Sequence, residues 1–500
     1  MDFQKKNKFF IINKIFNCFL YKRGAWMTGE AKAKTPVLAK ITSDKVFCYV
    51  SMALIVLLPV AEIITEILIS TKKKVFRFMY PSYYQPTVVA IFGILFTALI
   101  VLAFITRAVT GKFRLYIADI FYFTLMAFML ISMLCSVNFG VFSAGVRFYM
   151  EHPLHFLCYY GLFFAGSMIE DPKLRLKILY AYLIVTFIEG AVAFLQTKGI
   201  QIAYCLYIKE LPSEHAAYGT LQNTNFFGSL TCVLTAASSG FFIFSSKLTK
   251  SKVLKWGSLA LTLLIFYAMI ASCARLAWLG IGAMLIMYII SLIVMRKGAI
   301  DKDSLRQITI DFLTLIIGLI AVIIITIIFD DFISDRVEQT TTDTAVTTAV
   351  LSGEEDSGDF ANGRGKIWRA ALHSVPHHWL TGIGLDNLAQ AFREMPGWQQ
   401  GDYVQDKGHC EYIHTLATQG VFAFVNYMTL LIFAVISSVK TIMNEKDDIK
   451  RSLLWIFFGA FTAYAAQAVG ASSIMNVAPY YWLILGLLMP RTKPVSLKKK

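Results

Sequence analysis

Apolar residues recur in long runs along most of the chain, and short polar segments separate the runs. A helix needs about 20 mostly apolar residues to cross a bilayer. Twelve runs qualify, with cores near 46–66, 87–106, 115–135, 153–169, 176–196, 226–246, 256–274, 276–295, 309–329, 419–439, 452–472 and 476–490. The fourth and twelfth are short, which suits tilted or half-buried helices. The seventh and eighth form one apolar stretch that Arg275 breaks into a hairpin. The pattern predicts an all-α, polytopic integral membrane protein of about twelve transmembrane helices. One polar interval, from about 330 to 418, predicts a single large loop.

Composition agrees. Of 500 residues, 57% are hydrophobic and 16% charged, against about 25% charged in a soluble protein. The net charge of +15 would suggest nucleic acid in a soluble chain. Here the Lys and Arg fall mostly in short loops and at both termini, as topology signals and contacts to anionic membrane lipid do. No nucleic-acid partner is expected.

With residues 1–45 in the cytoplasm, the cytoplasmic loops become Arg107–Arg114, Lys173–Lys177, Lys247–Lys255, Arg296–Arg306 and Lys440–Arg451, with the tail 491–500, and all are basic. Lys72, Lys73, Lys74 and Arg77 violate the rule locally. The expected order is a basic cytoplasmic segment 1–45, helices over 46–329, an extracytoplasmic loop over 330–418, helices over 419–490 and a basic cytoplasmic tail. The apolar patch near Phe9–Leu20 is broken by Asn13, Lys14 and Asn17 and has no small-residue cleavage site. It reads as an interfacial amphipathic helix rather than a signal peptide. The eight cysteines form no disulfide framework. No CxxC or HExxH spacing occurs, so neither a metal nor an organic cofactor is expected.

Five of the eight histidines lie in the large loop, between His373 and His414. Residues 330–362 are acidic and Thr-rich and read as a mobile linker or lid. Residues 364–374 read as a helix that ends before Pro376 and puts Arg364 and Trp368 on one face. Gly382 and Gly384 allow a tight turn, but no strand–GxGxxG–helix context marks a nucleotide site. Arg275 is either a snorkelling interface residue or an anion ligand whose planar fork suits phosphate. His409, just before the amphipathic stretch Tyr412–Leu416, is either a polar loop residue or a general base. His373, His377, His378 and His414 hold no equally specific position. In the stretch from Tyr218 to Gly228, Gly219 and Asn223 suit a turn, and Asn225 suits the cap of the following helix. The same stretch suits a polar rim for sugar hydroxyls.

Three stretches resemble the O-antigen ligase superfamily, which also holds polymerases of lipid-linked repeat units. Gly219, Asn223, Asn225 and Phe226 match its Gly-x-x-x-Asn-x-Asn-Phe turn. The run Ser272–Arg275 resembles its Ser-x-Ser-Arg, with Ala274 replacing the second Ser. Its signature loop corresponds to Arg364, Trp368, Pro376, Gly382, Gly384, His409, Cys410, Tyr412, Ile413 and Gly420. Cys410 stands where the family has Asn. If that Asn only caps a helix, little is lost; if it orients the histidine, catalysis is affected.

The resemblance implies metal-independent, inverting glycosyl transfer outside the cytoplasmic membrane. The donor is a glycan on undecaprenyl diphosphate, and the acceptor is lipid A–core or another lipid-linked glycan. His409 would be the base, Arg275 and Arg364 would bind diphosphate, and Asn223, Asn225, Trp368 and Tyr412 would contact glycan. The competing class is a transporter or flippase of lipid-linked oligosaccharides, which expects charged groups near the midplane. Glu189 is the main acid well inside an apolar run, with Glu62 and Glu66 nearer an end.

Overall fold

A computed structural model describes residues 37–70, 84–137, 151, 153–200, 202, 216–297, 301–329, 364–402, 404–489, 491 and 494–495. The expected interfacial helix near the N-terminus and the linker 330–362 lie outside the described residues. Each of the twelve apolar runs is helical. In order they are α1 (Asp44–Ser70), α2 (Tyr84–Val109), α3 (Ile117–Leu134), α4 (Pro153–Met168), α5 (Pro172–Gln196), α6 (Thr224–Ile243), α7 (Lys252–Ala271), α8 (Arg275–Lys297) and α9 (Lys302–Phe329). The loop helix α10 (Arg364–Ser374) follows, then α11 (Glu411–Asn444), α12 (Asp448–Gln467) and α13 (Ala478–Leu487). No strand occurs among the described residues. Helices satisfy every internal N–H and C=O within one segment, which hydrocarbon demands.

Nine of these helices are long and apolar enough to cross a membrane, not the twelve that the pattern predicts. The exceptions are α4, α12 and α13. At 1.5 Å per residue, the ten residues of α13 cover only about half of a ~30 Å hydrocarbon core. All three of these helices are largely buried inside the protein. Sequence periodicity cannot tell a lipid-facing crossing from a helix enclosed by others.

At the centre, the apolar window of α6 is 100% buried, and the helix packs on α5, α7, α8 and α12. By contrast α9, 22% buried over its window, turns most of its surface outward. Close approach replaces hydrophobic drive between helices in lipid. A Cβ on Gly486 of α13 would sit 2.2 Å from the Phe163 carbonyl oxygen of α4, and one on Gly166 would sit 2.6 Å from the Leu483 carbonyl oxygen.

The two ends of the bundle differ in chemistry. At one end, Lys247 joins Asp301 and Asp448 across three inter-helix loops, and Asp119 takes both Arg107 and Arg491. At the other end of α6 lies the polar turn Tyr218–Asn223, gripped from within the bundle. Glu189 accepts the Thr220 N–H at 3.0 Å and its hydroxyl at 2.6 Å. Gln196 accepts the N–H of Tyr218 and Gly219 and donates to the Gly219 carbonyl, while Glu62 accepts from Gln222.

Candidate active site

The site is assembled from four breaks in helical structure at this second end. The first precedes α6. Asn223 has extended backbone angles, and its Oδ1 accepts the N–H of Asn225 and Phe226. Asn223 is therefore the helix cap, not Asn225 as the sequence suggests. That leaves the Asn225 side chain exposed on the first turn.

The second break separates α7 from α8 over Ser272–Ala274. Cys273 takes a positive φ of 57°, and the Ser272 hydroxyl donates to the Met269 carbonyl at 2.7 Å. Ala274 fits over Gly228 of α6, where a Cβ would lie 2.2 Å from the Ala274 Cβ. Arg275 thus opens α8 at the end of the bundle, and the broken apolar run is as expected.

The third break lies within α11. Gly420 has φ 83° and ψ 174°, so the helix ladder is interrupted there. The Gly382–Gly384 segment of the large loop runs into the gap. Ile383 N–H donates to the Ala417 carbonyl and Gly384 N–H to the Thr418 carbonyl, while Val421 N–H donates to the Trp379 carbonyl. Contact is too close for side chains: a Cβ on Gly382 would lie 2.2 Å from the Thr418 carbonyl carbon. A Cβ on Gly420 would lie 2.6 Å from the Leu380 carbonyl oxygen. The two glycines of the Gly-x-Gly pair are thus docking points, consistent with the absence of a nucleotide motif.

The loop helix α10 has the predicted bounds. Its buried face, with Ile367, Ala370 and Ala371, packs in a small separate core with Ile383, Leu388, Ala391, Phe392 and Ala417. This core carries Arg364 at the start of α10. Trp368, one turn on, donates its indole N–H to the Gly408 carbonyl at 3.1 Å and so fixes the backbone one residue before His409.

The fourth break is the loop that ends in His409. Lys407 is 2% exposed and pairs with Glu151 at 2.9 Å and with Asp386. Asp386 also accepts the Glu151 N–H at 2.7 Å. Glu151 and Lys407 are 256 residues apart, and the sequence holds no signal that links them. His409 itself has φ 44°, the left-handed region that non-glycine residues rarely adopt. Glu411, which opens α11, donates its N–H to the Ala468 carbonyl after α12.

These breaks enclose a cavity of about 10 Å³, lined among others by Asn225, Ser229, Arg364, His409, Gln467 and Ser472. It has room for roughly one water. Gln467 and Ser472, which sequence reading missed, are almost fully buried. The Nε2 of Gln467 and the Oγ of Ser472 have no hydrogen-bond partner. Arg275 lies close enough for its charge to act on Arg364: burial first, then Arg275, holds the Arg364 guanidinium below its usual pKa. Burial, joined by the charge of Arg364 and opposed by Asp406, lowers the His409 pKa to about 4. At neutral pH the imidazole is uncharged and able to accept a proton.

Among the residues singled out by sequence, His409, Arg364 and Asn225 line the cavity, and Arg275 stands beside it. Asn223 and Trp368 hold the backbone of the turn and of the His409 loop. Tyr412 turns to α12, where its hydroxyl donates to the Ala465 carbonyl at 2.8 Å. Among the described residues, no group of three or more His, Cys, Asp or Glu could hold a metal ion.

The fold defines a multi-pass helical membrane protein with a polar candidate site at one end of the bundle. Residues 260–428 match the family model described as O-antigen ligase. That segment carries Arg275, Arg364, His409 and Gly420, and the match supports the resemblance to the O-antigen ligase superfamily. Its members process glycans at membranes. No curated protein matches the chain.

Two substitutions test how the site is held. Lys407→Met strands two buried carboxylates, which costs about 3–5 kcal/mol; a sharply lowered melting temperature of the detergent-purified protein is expected, and an unchanged one would refute the role of Lys407. Cys410 occupies the N-cap of α11 without a side-chain cap bond. Cys410→Asn should add about 1 kcal/mol in the same melting assay without loss of activity.

Proposed function

We propose that the protein is a metal-independent, inverting glycosyltransferase that moves or polymerises glycan from an undecaprenyl-diphosphate-linked donor on the outer side of the cytoplasmic membrane. The observation that carries this reading is convergence. Asn225, Arg364 and His409, distant in sequence, line one small polar cavity, and Arg275 stands close enough to act on Arg364. The grouping of Lys247, Arg107 and Arg491 at the opposite end of the bundle supports cytoplasmic loops and termini there.

In the reaction, an acceptor hydroxyl oxygen attacks the anomeric carbon of the donor sugar while the bond from that carbon to the diphosphate oxygen breaks. The hydroxyl proton passes to His409. The diphosphate leaves as an anion that Arg275 and Arg364 stabilise, an electrostatic role worth several kcal/mol. A diphosphate is a good leaving group, so no second carboxylic acid is needed to protonate it. Two mutually repelling guanidiniums are arranged to receive such an anion. Its arrival cancels the positive field of Arg364 on His409, so the imidazole becomes a better base when the donor is in place. A transporter would need free acids near the midplane, whereas Glu189 and Glu62 are engaged in holding the Tyr218–Asn223 turn.

In cells without the gene, single repeat units should accumulate on the lipid carrier if the protein polymerises, and full-length chains if it ligates. Unchanged lipid-linked and surface glycan would overturn the reading. His409→Ala should reach the membrane at normal levels yet lose about 10²–10⁴-fold in transfer, and Arg364→Lys should also lose activity because a point charge cannot replace the fork. With the base titrating at about 4 in the free protein, kcat/KM should hold steady from neutral pH downward and fall as pH drops through about 4. The kcat limb, measured with bound donor, should lie at higher pH. Coincident limbs would show that the donor does not neutralise Arg364.

A further inference from the structure

A second cavity lies beside the first. Its volume is about 50 Å³ against about 10 Å³, enough for roughly three to five waters and so for one edge of a sugar ring. The two share their dividing segments: Ser472 lines the first and Ser473 the second, and His409 lines the first and Glu411 the second.

The lining has a definite chemistry. Glu151 and Glu411 supply carboxylates, and none of the described residues that line the cavity is Lys or Arg. Both acids are locked in place, Glu151 by the Tyr159 hydroxyl and Lys407, Glu411 by the hydroxyls of Tyr427 and Tyr464. Each carboxylate oxygen still has a lone pair for another donor. Further polar atoms lack partners: Ser473 Oγ and His414 Nδ1 are buried with none, and Asn426 Oδ1 accepts from the Thr124 hydroxyl while its buried Nδ2 has none. Such groups cost about 1–3 kcal/mol each when left unmatched. The walls are aromatic: Tyr160 and Trp482 meet edge to face at 5.1 Å, with Phe156 beside them.

Phosphate does not fit two carboxylates whose neighbouring cation, Lys407, is already engaged by Glu151 and Asp386, and a purely apolar ligand would leave the polar atoms unmatched. A neutral ring that bears hydroxyls fits both, since each hydroxyl can donate to a carboxylate and accept from an amide, and its flat faces meet apolar walls. We propose that this cavity is the subsite for the acceptor sugar, placing one of its hydroxyls toward His409 across the Cys410–Glu411 step. The assignment of an acceptor rests on the glycosyl-transfer reading above; the binding of a neutral sugar does not.

The test is saturation-transfer NMR on the full-length protein in nanodiscs, with a panel of methyl glycosides of neutral hexoses and N-acetylhexosamines. At least one should bind saturably. Asn426→Leu and His414→Phe should each weaken it about tenfold, the worth of one hydrogen bond. Asn426 is half-exposed at the cavity mouth, so its variant keeps the test decisive if His414→Phe fails to fold. Sugar binding that survives while transfer is absent would count against the glycosyl-transfer reading and not against the subsite. No saturable glycoside binding, binding that neither variant alters, or displacement of the glycoside by tetramethylammonium would overturn the subsite.

Discussion

The structure depends on one interruption. At Gly420 the ladder of α11 fails, and carbonyls of the preceding turn face an environment where unpaired polar groups are costly. The N–H groups of Ile383 and Gly384 fill the gap, and the Val421 N–H is taken by the Trp379 carbonyl. This exchange welds the large loop to a membrane helix through main-chain bonds, which no side-chain substitution can replace. The small core around α10 is then set in place, and with it Arg364.

The second determinant is electrostatic. Lys407 and its two acids form a buried cluster that links the start of α4, the Gly384–Asn387 turn and the loop before His409. A short step away, the charge of Arg364 acts on His409, and Arg275 acts in turn on Arg364. The two regions lie a few residues apart along the loop, which Lys407 anchors on one side of His409.

Much of this was legible beforehand. Apolar runs marked all twelve helices, and α10 runs over the bounds its sequence suggests. The runs did not say how many of these helices cross, because burial in protein and burial in lipid demand the same apolar residues. The sequence placed His409, Arg364 and Asn225 among the site candidates, since those residue types carry recognisable chemistry. It shifted the α6 cap by two positions because Asn223 and Asn225 are both competent caps and only backbone angles decide. It could not reveal that Gly382 and Gly420 touch, nor that Glu151 belongs with Lys407. Those pairings are long-range and carry no periodic signature.

His409 sits in a left-handed conformation that costs an L-residue about 1–2 kcal/mol, and Gly or Asn at that position would relieve much of it. The side chain proposed as the base is therefore held against the preference of its own backbone. A library screened for thermal stability alone would drift away from histidine here, and, on the proposed role of His409, would gather well-folded proteins without transfer activity. Only a screen that also demands turnover would keep it, which makes position 409 a direct readout of what selection has been asked to preserve.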